Sequence, residues 1–185
     1  VATGAKHLLT ADYPGAFRPF VEKAFPGAIA VFWQGVGADA RPRQVADGLD
    51  WRAMEHKELP VIGECLFTEV LEVLTERMTP IEPLIFSSDI AEVLLPVSNP
   101  NVTKEDLKQQ LKQAKDESLR FCLRKMLAME QIPTDFPMSI QMISFNKQFS
   151  IVGVAAEVLC GLGEKIEKKI STQFKMVLGY TNGAH

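Results

Sequence analysis

The residues whose types and spacing carry chemistry lie near the C-terminal end of the chain. The apolar run Ile151 to Ala155 reads as a strand and ends at a single carboxylate, Glu157. A second run, Met176 to Gly179, brings Tyr180, Thr181 and Asn182 to the same edge. In open α/β sheets, ligands gather at the carboxyl ends of strands. A carboxylate there, facing a helix N-terminus, is favoured in its ionised form. It is placed to hold a cation, bind substrate or act as a base. The plainer role is to cap the helix predicted over 157–170.

A second candidate is the turn from Gln34 to Arg43. Gly35, Val36, Gly37 and Ala38 lead to Asp39, and Arg41 and Arg43 flank Pro42. Small residues after a strand let the backbone approach a ligand closely, and Asp39 supplies a carboxylate. The opposing role for Asp39 is a hydrogen bond to nearby backbone, as is common in turns. No third glycine follows and no Gly-Lys-Ser/Thr, so the phosphate-cradling pattern is missing. His7, His56 and His185 are scattered without metal-ligand spacing, although His185 adjoins the strand-end residues. No Ser sits in a nucleophile elbow.

The elements that must position these residues alternate. Asp12 reads as the cap of a helix with Pro14 in its first turn and Phe17, Phe20, Val21 and Ala24 on one face. Pro26-Gly27 ends it. Ala28 to Trp33 is a continuous apolar run, predicted as a strand buried on both faces. Ile62, Leu66, Val70 and Leu74 mark a helix between Val61 and Met78. Leu84 to Phe86 and Ala91 to Leu95 are short strand candidates.

Thr103 to Asp106 resembles a capping box before a helix with a break near Ser118. That helix carries Leu107, Leu111, Ala114, Phe121, Cys122, Met126 and Met129 on its stripe. Met138 to Phe145 and Phe149 to Val154 form a hairpin around Asn146-Lys147. The last helix turns Leu159, Leu162, Ile166 and Ile170 inward. The expected class is α/β, a mixed sheet with helices packed on its faces.

Bulk properties bound the rest. The 185 residues suit one domain, 46% are hydrophobic, and the net charge of −3 leaves no electrostatic footprint for nucleic acid. No apolar run reaches the roughly 18 residues that a membrane span needs. Cys65, Cys122 and Cys160 lack metal-site spacing, and two of them fall on apolar helix faces, where a small buried hydrophobe is expected.

Three blocks together resemble the neutral/alkaline non-lysosomal ceramidase family across nearly the whole chain. Leu9 to Gly15 is similar to its (S/T)ADYPG segment and Ala30 to Arg43 to its FxQGxxGDxxPR block. Val154 to Glu157, with Leu178 to Gly183, is similar to its PGE and GYTNG pair. The resemblance implies a zinc amidase acting on a small-molecule or lipid N-acyl substrate. Glu157 is then a zinc ligand, with histidine ligands expected upstream of Val1. It places Asp39 and Arg41 at the catalytic block, and Gly35, Tyr180, Asn182 and His185 at the substrate. It further implies that residues 1–185 are the C-terminal part of a larger catalytic domain, with strand edges left without neighbours, and it hints at export to the periplasm or outside the cell.

The chain departs from that pattern. Arg41 stands where the ceramidases carry a catalytic Ser, Ala38 replaces a glycine, and Ala184 stands where a metal-binding Tyr would follow Asn182. These changes point to a substrate other than ceramide. The alternative is a catalytically inactive binding or scaffold domain.

Overall fold

A computed structural model describes residues 9–48, 50–81 and 85–183. The expectations for His7, Leu84, Ala184 and His185 lie outside this set. The described fold is mixed α/β, as expected. It holds a four-stranded mixed sheet, a two-stranded ribbon and five α-helices among the described residues. Chain contacts divide it into two compact units, 1–89 with 141–185, and 90–140.

In the first unit, helix α1 (Asp12–Ala24) opens with Asp12 as its first residue instead of its cap. The Asp12 carboxylate accepts the Tyr13 N–H at 2.7 Å, and Thr10 Oγ1 accepts the N–H of Asp12 at 3.0 Å. Helix α2 (Leu59–Glu76) has Pro60 in its first turn, where the missing N–H costs nothing. Glu55 and Glu58 form a capping box just before it. Arg52 grips the Glu58 carboxylate at 2.7 and 3.1 Å and also donates to Gln44 O, tying the segment before α2 to the 34–44 loop. The strands β1 (Ala46–Asp47) and β2 (Asp50–Trp51) form a short antiparallel ribbon between the loop and α2.

Val45, Met54, Leu59 and Ile62 form a buried cluster, with Tyr13 and Ala16 of α1 packed on it. The helices meet closely because Gly63 has no side chain. A Cβ there would lie 2.7 Å from the Ala16 carbonyl carbon and oxygen.

The main sheet has the order β3-β4-β5-β6, from β3 (Phe86–Pro96), β4 (Asp135–Phe145), β5 (Phe149–Val154) and β6 (Phe174–Leu178). Asn146 and Lys147, at φ 50° and 58°, make the two-residue turn of the predicted β4–β5 hairpin, closed by Gln148 N–H to Phe145 O at 2.9 Å. β5 and β6 run parallel, Ile151 beside Met176 and Gly153 beside Leu178. A parallel pair needs a crossover, and α5 (Cys160–Glu167) lies within it. The candidate Ala91 to Leu95 lies within one long edge strand, β3, exposed along its whole length, which Phe86 of the other candidate begins.

In the second unit, Thr103 accepts the Asp106 N–H and the Asp106 carboxylate accepts the Thr103 N–H, the predicted capping box of α3 (Lys104–Gln113). The helix breaks at 114–116, slightly before the expected point, and Asp116 caps α4 (Glu117–Ala128) through the Leu119 N–H at 2.7 Å. Leu107 and Leu123 are buried, whereas Phe121 and Cys122 are exposed.

Three expectations are corrected. Ala28 to Trp33 forms no strand and is not buried; Val31 is 72% and Trp33 55% exposed. Among the described residues no strand offers this segment a hydrogen-bond ladder, so its apolar character lies on the surface instead of filling a sheet. The last helix spans 160–167, shorter than expected, and leaves Leu159 and Leu162 half-exposed, while Ile170 beyond it is buried. Cys65 and Cys122 are exposed, because their helices bury only narrow stripes.

The glycine contacts set a test. Gly63→Ala should overpack the α1–α2 crossing and cost about 1–3 kcal/mol, read as a lower midpoint in denaturant. An unchanged midpoint would mean that the helices do not cross at this distance.

Candidate functional site

The site is built where the 34–44 loop docks on the carboxyl ends of β5 and β6. Gly35 bridges to Leu178, and the Gly179 N–H donates to Gln34 O at 3.2 Å. The Ala38 N–H donates to Val158 O at 3.1 Å. Val36 lies against Gly163 of α5, where a Cβ would collide with its side chain.

The decisive contact is made by Asp39. Its Oδ1 accepts the N–H of Cys160, the first residue of α5, at 2.8 Å. The expectation put Glu157 at this helix mouth. Asp39 occupies it, 121 residues earlier in the chain. Helix N-termini leave N–H groups without intrahelical partners, and a carboxylate satisfies one of them. The Cys160 backbone N–H, and then its thiol, hold the Asp39 carboxyl below its ordinary value of 3.8. The same pairing with Asp39, followed by burial, raises the Cys160 thiol.

Glu157 is thereby freed from capping. It lies in the loop between β5 and α5 and accepts a 2.6 Å hydrogen bond from the Tyr180 hydroxyl at Oε1. Its Oε2 takes no hydrogen bond among the described residues. The bond to Glu157 raises the Tyr180 phenol above its ordinary 10.0, with burial adding to the effect. Tyr180 also has φ 54°, a left-handed backbone that is uncommon for a bulky side chain and costs on the order of 1–3 kcal/mol. Two backbone bonds hold the strained turn in place, Tyr180 N–H to Ala156 O at 2.9 Å and Thr181 N–H to Val154 O at 3.1 Å. Gly153 admits Thr181, whose methyl would lie 2.7 Å from a Cβ there.

Glu157 and Tyr180 border a cavity of about 910 Å³. Arg41, Gln34 and Glu69 add polar groups to its wall, and Tyr13, Ile62 and Leu66 add apolar ones. Arg41 makes no ion pair or hydrogen bond among the described residues.

Of the positions singled out in sequence, Glu157, Tyr180 and Arg41 meet at this cavity. Asp39 stands behind it as the anchor of α5. Gly35 serves the docking of the loop. Asn182 points elsewhere, donating to Gln141 Oε1 at 3.1 Å. His185 lies outside the described residues. The α1 and α2 wall was missed by sequence reasoning, because periodicity marks a helix's apolar face without showing which cavity that face borders.

Zinc, which the resemblance implies, would find one member of its expected donor set here. Glu157 suits the single carboxylate, with one oxygen oriented by Tyr180 and the other uncommitted. No three His, Cys, Asp or Glu side chains converge among the described residues. The chain matches no family model, no curated protein and no solved structure. Among the described residues, no helix is long and apolar enough to cross a membrane.

Two measurements check this geometry. Because the folded-state pKa of Asp39 is depressed, its stabilising contribution is present above the unfolded value near 3.8 and is lost as pH falls through the lower folded value. Asp39→Asn should therefore lower the thermal midpoint at neutral pH, with the gap to wild type closing in strong acid. A gap that stays constant with pH would contradict the capping bond. The chain has only two tyrosines, so phenolate absorbance resolves Tyr180. In Glu157→Ala one of the two should titrate at lower pH than in wild type; an unchanged curve would remove the Tyr180–Glu157 bond.

Proposed function

We propose that this chain is part of a zinc-dependent hydrolase of the neutral ceramidase-like group that cleaves an amide (N-acyl) bond with metal-activated water. The observation that supports this reading is convergence. The turn that carries Arg41, more than a hundred residues earlier in the chain, borders the same cavity as the loop with Glu157 and the strained turn at Tyr180.

Each group has a chemical task in that reading. Glu157 would be the carboxylate that holds the metal. Tyr180 orients the carboxylate through Oε1, the role that hydrogen-bonded partners play around metal ligands. Bound zinc lowers the pKa of water and polarises the substrate carbonyl. Asp39 acts as a positioning residue, holding α5 and the loop that carries Arg41 against the strand ends. The apolar wall from α1 and α2 excludes water from one side of the cavity. The histidines of the family pattern are expected upstream of Val1.

Metal analysis and amide hydrolysis, measured together on the complete protein that contains this chain, test the proposal. Wild type should retain zinc and release fatty acid from an N-acyl amide. Glu157→Ala should lose both, and Tyr180→Phe should weaken zinc binding or activity by roughly 10–100-fold. A wild-type protein that never holds zinc would sink the hydrolase reading and leave the non-catalytic binding domain.

A further inference from the structure

We draw no further inference here: the strongest candidate, the apolar cavity of about 370 Å³ that Phe32 and Trp33 form with Ile143, Ile151 and Leu178 of the sheet, is an apolar surface and nothing in the structure shows what covers it.

Discussion

The bond between the Asp39 carboxylate and the first N–H of α5 organises the region around the cavity. A parallel β5–β6 pair requires a crossover, and the crossover helix starts with N–H groups that need an acceptor. Local sequence does not provide one, because the position before the helix is Leu159, whose side chain accepts nothing. The acceptor comes instead from a distant loop. Once Asp39 is placed there, Val36 seats against Gly163, Ala38 bonds Val158 and Gln34 bonds Gly179. Arg41, two residues on, is carried to the cavity wall as a consequence.

That arrangement separates two carboxylates by role. Asp39 is committed to structure, its charge held by a helix N-terminus. Glu157, relieved of capping, gives one oxygen to Tyr180, and its other oxygen takes no hydrogen bond among the described residues. The left-handed turn at Tyr180 is an unfavourable backbone state that the neighbouring strand ends stabilise through Ala156 and Val154. Strain of this kind persists where the surroundings over-determine it. Here its result is to aim a phenol at a carboxylate across the mouth of the parallel pair.

Much of the framework was legible locally. The hairpin turn at Asn146-Lys147, the capping box at Thr103 and the helix around Ile62 and Leu66 all announce themselves through turn chemistry, caps or periodicity. What failed was burial. Ala28 to Trp33 has the composition of an interior strand, yet apolar character cannot reveal whether a neighbouring strand is present to pair with it. Cys65 and Cys122 fall on helix faces that look apolar in projection, but each helix buries only the side that another element covers.

By itself, the sequence determined the α/β class and most of the helix and strand positions, and it singled out Glu157, Tyr180, Asp39 and Arg41 as candidates. These follow from short-range rules: side-chain period, caps and the conformational limits of turns. Only the tertiary structure decided which carboxylate caps α5 and which borders the cavity, and that α1 and α2 share the cavity wall with Arg41. The capping depends on a contact between residues 121 positions apart, where competition for one N–H group is settled by packing and not by neighbours in the chain.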